Sequence, residues 1–229
     1  MKNFFRTEWA KLREMNFTDK RQYIWEYYKL HIFAFALVAF FVGSLVNSLF
    51  INPPKEEYLY IAWIGIPVHP QQLEMMGYEL NTIVENPQRQ HVMIADYTMT
   101  DNPQINMALN TRFFALLQIG SLDFFLTTRE GVEDLATEGF LQPMGETMSA
   151  LAYLNPSVYS QVAQRLVTIS FTPRDAEASR TDAMAISLAE IPFFESFYVH
   201  SENMYLSMVV NASRFEATAK ALEVFFDGA

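Results

Sequence analysis

The sequence predicts an α/β protein in which one N-terminal transmembrane helix precedes a single extracytoplasmic α/β domain with a mostly parallel sheet. Residues 32–51 contain no charged side chain and supply the roughly 20 apolar residues that a helix needs to cross a bilayer core. After residue 57, apolar segments of strand length alternate with segments of helical pattern, which is typical of βαβ units. The predicted organisation is a cytoplasmic segment 1–31, a span 32–51, a linker 52–57 and a domain 58–229.

The charged residues are divided unevenly on either side of the span. Residues 1–31 carry seven Lys or Arg and four Asp or Glu, whereas residues 32–229 carry nine basic and 22 acidic residues. Since Lys and Arg that flank a span stay on the cytoplasmic side, this predicts a cytoplasmic N-terminus and an extracellular C-terminal domain. Two alternatives to an uncleaved anchor are a buried core helix and a signal peptide. The run is long for a signal, and no clear A-x-A site follows it.

The segment before the span has two aromatic regions. Residues 3–14 place Phe4, Phe5, Trp9 and Leu12 on one helical face, which predicts a short helix in the inner headgroup region. The alternatives are a frayed cytoplasmic tail and a contact with a partner protein. A second group precedes the apolar run directly and is typical of the aromatic belt at a membrane interface, with a lysine able to reach the headgroups. The predicted interface anchors are Trp9, Tyr23, Trp25, Tyr27, Tyr28 and Lys29.

Within the span, Ala39, Gly43 and Asn47 recur at intervals of four residues and so share one helical face. Small side chains let two membrane helices approach closely, and an amide can donate a hydrogen bond between them. This face predicts contact with another transmembrane helix. Chance spacing is the alternative, because Ala and Gly are common in spans.

The order of elements in the domain follows from local signals. Strands are predicted over Tyr58–Ile66, His91–Tyr97, Ser121–Thr127, Leu166–Thr172, Met184–Leu188 and Met204–Val210. Helices are predicted over His69–Glu85, from Pro103 to about Gln118, over Arg129–Thr137, as two short helices after Met144, and over Ala212–Phe226 with Asn211 as cap. A turn or short helix is predicted over Ile191–Phe197.

The composition excludes several function classes. An acidic domain lacks the clustered Lys and Arg that nucleic acid requires, and a chain without cysteine has neither disulfides nor thiolate metal sites. No nucleophile motif, H-E-x-x-H or phosphate-binding glycine loop is present, and the four histidines are far apart in sequence. Asp96 and Asp123 end or begin predicted strands, where a carboxylate more often caps backbone N–H groups than acts as an acid–base pair. The sequence therefore predicts a non-enzymatic protein with no cofactor or metal.

The stretch GSLDFFLTTREGVEDLATEGFLQPM, residues 120–144, resembles part of the extracellular solute-binding proteins of ABC transporters. Those proteins carry a "G-x-x-D-hydrophobic" strand, a helix and then "G-x-L-x-P-L". The matching positions are Gly120, Asp123, Gly139, Leu141 and Pro143. YIWEYYKLHI before a single span resembles a group of bacterial membrane proteins, which implies a bacterial cell membrane as the location. Only about 40 residues separate Met144 from Met184, so a single lobe like that of a periplasmic binding protein is expected, without the second lobe that would close over a ligand.

The resemblance and the membrane segment together predict an accessory or regulatory subunit that contacts an ABC transporter or another membrane complex. The alternative is a membrane-tethered receptor for a small molecule with a reduced cleft. In that case aromatic side chains at a sheet end, such as Tyr58, Tyr60 and Trp63, would form stacking surfaces for the solute.

Overall fold

The computed structural model describes residues 13, 15–51, 53–174 and 178–227 of the chain. The chain divides into two compact units, one ending at Pro54 and the other beginning at Lys55. Trp9 lies outside the described residues, so its predicted role as an interface anchor stays a prediction.

The N-terminal unit is built on one long helix. Helix α1 spans Phe17–Val46, and its last residues continue as a π-helical turn over Asn47–Ile51. It begins directly after Asn16, which has an extended conformation. Helix residues Trp25–Ile51 are long and apolar enough to cross a membrane, and their most apolar 18-residue window has a mean hydropathy of 2.2 and no buried residue. This exposure contradicts the alternative interpretation of the apolar run as a buried core helix.

The C-terminal unit alternates strands and helices for most of its length. Its strands are β1 (Glu56–Ile64), β2 (Gln90–Asp96), β3 (Phe124–Thr127), β4 (Leu141–Gln142), β5 (Leu166–Phe171), β6 (Arg180–Ser187) and β7 (Tyr205–Val209). Its helices are α2 (Pro70–Leu80), α3 (Pro103–Gln118), α4 (Arg129–Thr137), α5 (Gly145–Leu154), α6 (Pro156–Ala163), α7 (Pro192–Ser196) and α8 (Phe215–Asp227). Strand β1 begins within the predicted linker 52–57.

The seven strands form one mixed sheet in the order β2-β1-β3-β7-β6-β5, with β4 also paired to β7. Strands β2, β1 and β3 are parallel because helical crossovers connect them, whereas β3–β7, β4–β7, β6–β7 and β5–β6 are antiparallel. The predicted mostly parallel arrangement thus holds for one half of the sheet only. In the other half the loop between β5 and β6 is too short for a parallel crossover.

The core lies on both faces of the sheet and is richest around β1. Residues 59–63 of this strand have no exposed surface, which explains why the sequence there is apolar without alternation. Helix α8 closes one side, where Phe225 packs against Phe193 and Phe194 with ring centroids 5.0 Å apart. Burial of this kind stabilises by about 25 cal/mol per Å² of apolar surface, so a domain without cysteine can rely on packing.

Local caps place most helix boundaries where the sequence predicts them. Asn102 accepts a hydrogen bond from the Gln104 N–H at 3.0 Å and begins α3, and α4 has the predicted bounds. Helix α8 begins at Phe215 instead of Ala212, since Asn211 adopts a φ of 69° in a turn and does not cap the helix. The two-residue strand β4 was not predicted, because it is too short to carry a pattern.

Candidate interaction surfaces

The residues that carry the family resemblance occupy structural positions. Gly120 and Gly139 follow α3 and α4 with φ values of 67° and 77°, which is the left-handed region that glycine enters without a steric cost. Leu141 is buried and pairs with Val209 in the short β4–β7 ladder, whereas Pro143 is exposed. The two glycines therefore shape turns, and Leu141 contributes to the packing of the sheet.

Asp123 lies immediately before β3 and, together with Arg214, connects the start of β3 to β1 and to the segment before α8. Its Oδ2 accepts a hydrogen bond from the Tyr60 N–H at 2.7 Å, and its Oδ1 accepts one from Arg214 Nε at 2.7 Å. The guanidinium also donates to the carbonyl oxygens of Glu57 and Ser121. The carboxylate side chain is 1% exposed and that of Arg214 is 29% exposed. Asp123 does accept a hydrogen bond from a backbone N–H group, as predicted. The donor is not a neighbour in the sequence, however, because Tyr60 lies 63 residues away.

The environment of Asp123 alters its ionisation. Burial raises the pKa of this carboxyl to about 6, while the hydrogen bond from Tyr60 and the charge of Arg214 act in the opposite direction. A carboxyl with a raised pKa is a common feature of catalytic sites, but this one has both oxygens engaged by the protein. Asp123 therefore ties strands together and offers no free atom to a substrate.

The two aspartates that could have formed a catalytic pair are apart. Asp96 is level with Trp63 at the end of β2, whereas the Asp123 N–H donates to the Tyr60 carbonyl, three residues earlier on β1. Strand β1 lies between them, so the separation is about 10 Å along the strands and about 10 Å across. Asp96 instead accepts a hydrogen bond from the Thr98 N–H at 2.8 Å in its own turn. The two carboxylates are therefore too far apart to act together on one substrate atom.

Ligand-stacking aromatic residues and metal sites also lack support. Tyr60 and Trp63 have no exposed surface, and Tyr58 is half-buried, so these rings belong to the core. This contradicts the stacking surface expected for a small-molecule receptor. Among the residues that the structure describes, no group of three His, Cys, Asp or Glu side chains is arranged to hold a metal ion.

The membrane-segment residues fall on α1 as the sequence predicts. The anchors within the described range, Tyr23, Trp25, Tyr27, Tyr28 and Lys29, all lie on the helix before the uncharged run that begins at Ile32. The rings of Tyr23 and Tyr27 have centroids 4.7 Å apart. Ala39 and Gly43 lie in α1, while Asn47 opens the π-helical turn and donates its backbone N–H to the carbonyls of Gly43 and Ser44.

Helix α3 presents an apolar face to solvent that the sequence reasoning missed. One side of the helix packs on the sheet through Phe113, whose ring contacts those of Tyr97, Phe125 and Phe140. The solvent side of α3, here called the α3 outer face, is flanked by large apolar side chains that are about half exposed or more, with Met107 and Phe114 on one flank and Ile105 and Ile119 on the other. Its members are Ile105, Met107, Phe114 and Ile119. The signal was available, because α3 carries one charged residue among its 16.

That single charge does not interrupt the α3 outer face. Arg112 Nη2 donates to the Tyr60 hydroxyl at 3.0 Å, and the Tyr60 and Tyr97 hydroxyls lie 3.1 Å apart. Burial and the hydrogen bond with Tyr60 raise the pKa of Tyr97 above its ordinary value, which keeps this hydroxyl neutral. Arg112 therefore reaches toward the sheet, and the α3 outer face is uncharged in a domain whose net charge is strongly negative.

A groove between α2 and β2 is a second surface feature. It has a volume of about 520 Å³. One wall consists of α2 and the residue after it: Pro70, Leu73, Glu74, Gly77, Tyr78 and Asn81. The other wall consists of β2 residues, namely Val92, Met93, Ile94 and Asp96. Strand β2 is an edge strand, so one side of its backbone faces this groove without a neighbouring strand.

Comparisons of the chain with protein-family models, curated proteins and solved structures gave no match. The resemblance to one lobe of a solute-binding protein therefore stays a prediction that rests on its own residues. What the structure itself provides is a mixed α/β unit, one candidate membrane-spanning helix, an uncharged helix face and an open edge groove.

Proposed function

We propose that this chain is a non-enzymatic, single-pass membrane protein whose globular unit binds another membrane protein, as an accessory or regulatory subunit of an ABC transporter or a similar membrane complex. One observation carries the proposal, namely the α3 outer face. Exposed apolar side chains that lie together on a soluble domain mark protein or membrane contacts, whereas isolated ones need no explanation. Met107, 69% exposed, and Phe114, 47% exposed, lie seven residues apart on one flank of the helix, and Ile105 and Ile119 lie on the other flank.

The chemistry of the surface favours a protein partner over a small solute. The α3 outer face is convex and uncharged, whereas small-molecule sites are concave and enclose the ligand. The aromatic rings that would stack on a solute are buried, so the tethered-receptor alternative has lost its predicted site. Anchoring by α1 would keep the globular unit near other membrane proteins, so a modest affinity would suffice for a stable association.

The choice of a transporter as partner rests on two sequence features. The segment 120–144 resembles the solute-binding partners of ABC importers, and a single lobe cannot close over a solute by itself. The second feature is the face of Ala39, Gly43 and Asn47, which suits contact with a neighbouring transmembrane helix. A subunit that docks through both segments would regulate or stabilise the complex without binding its solute.

The test is recovery of partners by the full chain in detergent, at native expression, followed by identification of the captured proteins. The informative variant carries Met107→Lys and Ile119→Lys, because both side chains are exposed and the fold does not need them. The matched control carries Tyr153→Lys and Tyr198→Lys, which introduce the same two charges at aromatic side chains that are each 88% exposed. Transporter subunits should be captured by the wild type and the control and lost from the variant on α3. Equal recovery by all three, or recovery of the chain alone, contradicts the proposal.

A further inference from the structure

The groove between α2 and β2 has the features of a site for an added β-strand. Hydrogen-bonding groups alternate between the two sides of a strand, and Tyr97 donates its N–H to the Trp63 carbonyl in β1 at 2.7 Å. The odd-numbered residues of β2 therefore face β1, and the even-numbered residues face the groove. Val92 confirms this parity, because its N–H points away from β1 and donates to Asn81 Oδ1 at 2.8 Å.

Four backbone groups remain available on the groove side. These are the Val92 carbonyl, the Ile94 N–H and carbonyl, and the Asp96 N–H, none of which has a partner outside the β1 ladder within the described part of the chain. Natural edge strands are usually blocked by Lys, Pro or a bulge. Strand β2, with the sequence QHVMIAD, contains neither residue, and its register irregularity lies at the start of its ladder with β1. This edge is open over its second half.

Helix α2 makes the open edge into a groove with a defined direction. Asn81 contacts Val92, and a Cβ placed on Gly77 would lie 3.9 Å from Ile94 Cδ1, so α2 runs antiparallel to β2. Four helical residues rise about 6 Å, as do two strand residues, which brings Glu74 level with Asp96. Gly77 is buried and contributes no side chain at the middle of the groove, where even a Cβ would already contact Ile94.

The charges at one end of the groove select its occupant. Glu74 and Asp96 are both exposed and lie at the end where β2 finishes, and no Lys or Arg lines the groove. A second copy of the chain would bring a domain with the same strongly negative charge, which disfavours pairing of two β2 edges. A segment with positive charge at this end is favoured electrostatically. In an antiparallel added strand, this end receives the N-terminal side of the segment.

We propose that the α2–β2 groove binds an extended segment of a partner protein, antiparallel to β2, with a basic residue or a free amino terminus beside Glu74 and Asp96 and an apolar side chain over Gly77. Backbone hydrogen bonds to Val92, Ile94 and Asp96 would supply affinity, and the acidic end would supply direction and charge specificity. The proposal does not rest on the α3 outer face, which belongs to a different helix. A negative result for the α3 outer face therefore does not contradict the proposal for the groove, and the reverse also holds.

The experiment uses the full chain in detergent and fluorescent hexapeptides as probes. The basic probe is Lys-Val-Thr-Val-Thr-Ser with a free amino terminus, and the control probe is its acetylated counterpart with Glu in place of Lys. The basic probe should bind at least fivefold more tightly. Gly77→Leu should weaken its binding at least tenfold, whereas the matched variant Gly77→Ala should stay within twofold. Glu74→Lys should reverse the preference between the two probes.

Amide hydrogen exchange gives a second readout that needs no variant. Exchange at the Ile94 and Asp96 amides should slow when the basic probe binds, while exchange at Met93 and Ala95, which face β1, should not change. Failure of both probes to bind at millimolar concentration overturns the proposal, as does binding that Gly77→Leu leaves unaffected. Self-association of the chain that Gly77→Leu abolishes would assign the groove to a second copy and also overturn it.

Discussion

Asp123 and Arg214 form a buried ion pair that holds the start of β3, the start of β1 and the turn before α8 in one arrangement. The backbone of Asp123 contributes as well, since its N–H bonds the Tyr60 carbonyl and its carbonyl accepts from the Val209 N–H. Removing one member of a buried pair is costly because the other charge loses its partner, even though replacing both members can be neutral. The pair therefore fixes the positions of strands more than it adds net stability.

The first prediction concerns the loss of this carboxylate. Asp123→Ala should lower the free energy of unfolding at pH 7 by about 3 kcal/mol, because it leaves the Tyr60 N–H unsatisfied and Arg214 without its counter-charge. Denaturant unfolding of the full chain in detergent would measure this. The control is Glu138→Ala, which breaks the exposed 2.8 Å pair with Arg174 and should change stability by less than about 1 kcal/mol. Equal effects of the two variants would contradict the structural role of Asp123.

The second prediction follows from the raised pKa of Asp123. In the unfolded chain this carboxyl titrates near 3.8, and in the folded protein burial raises its pKa to about 6. Between these values the folded state binds more protons than the unfolded state, so the contribution of Asp123 to stability decreases as pH rises. The difference in unfolding free energy between the wild type and Asp123→Ala should therefore shrink from about pH 4 to about pH 6. A difference that grows over this window would show that the Arg214 charge outweighs burial.

Sequence reasoning identified the chemistry of Asp123 but not its partners. A carboxylate that begins a strand predicts hydrogen bonds to backbone N–H groups, and it makes one. Its partners, Tyr60 and Arg214, lie 63 and 91 residues away, so only the folded sheet brings them together. The same limitation explains why Tyr60 and Trp63 were predicted to form a binding surface. Their rings are buried because both faces of the sheet are covered at β1.

At the scale of elements, Gly77 lowers the helical stability of α2 but allows this helix to lie close to Ile94 in β2. Glycine within a helix destabilises it by about 0.5–1 kcal/mol relative to alanine, and Gly77 lies in the interior of α2. A Cβ at this position would be in ordinary van der Waals contact with Ile94. The third prediction is that Gly77→Ala raises the free energy of unfolding by about 0.5–1 kcal/mol.

A second glycine provides the matched control for that measurement. Gly120 follows α3 with a φ of 67°, a conformation that costs a residue with a Cβ about 1–2 kcal/mol. Gly120→Ala should therefore lower the free energy of unfolding, although the change in composition is the same. Thermal or denaturant unfolding of both variants in one detergent would check the opposite signs. Destabilisation by Gly77→Ala would mean that the groove is tighter than its geometry indicates.

Elements whose signals are local were predictable, and those that depend on partners were not. The Asn102 cap and Pro103 fix the start of α3, and Gly120 fixes its end, so this helix follows from the sequence. The direction of β7 does not, because a short buried strand with four apolar residues and one serine carries the same pattern in parallel and antiparallel pairing. The strand pairs around β7 were therefore predicted to be parallel but are antiparallel. The parallel pairing of β2, β1 and β3 was predicted correctly.

For the whole molecule, the sequence determines the division into an apolar helix and an α/β unit. The boundary at Pro54 and Lys55 lies within the predicted linker, where two prolines interrupt the helix. A long uncharged run and a change in net charge each depend on many residues. A prediction based on them therefore does not depend on the interpretation of any single residue. The proposed docking surfaces could be derived only in part, because the low charge of α3 is visible in the sequence but the exposure of Met107 depends on which neighbours the fold leaves out.

The last prediction concerns the orientation of the chain in the membrane, which the charge division assigns as N-terminus inside. The chain contains no cysteine, so single cysteines introduced at exposed positions report topology without interference. Thr18→Cys precedes the candidate span and Glu202→Cys lies in the globular unit, and both side chains are exposed. In intact cells, a membrane-impermeant maleimide should label Glu202→Cys, while Thr18→Cys should react only after lysis because its flank carries the Lys and Arg that stay in the cytoplasm. The opposite labelling pattern, or a chain that dissolves fully without detergent, would contradict the membrane topology on which the proposed docking depends.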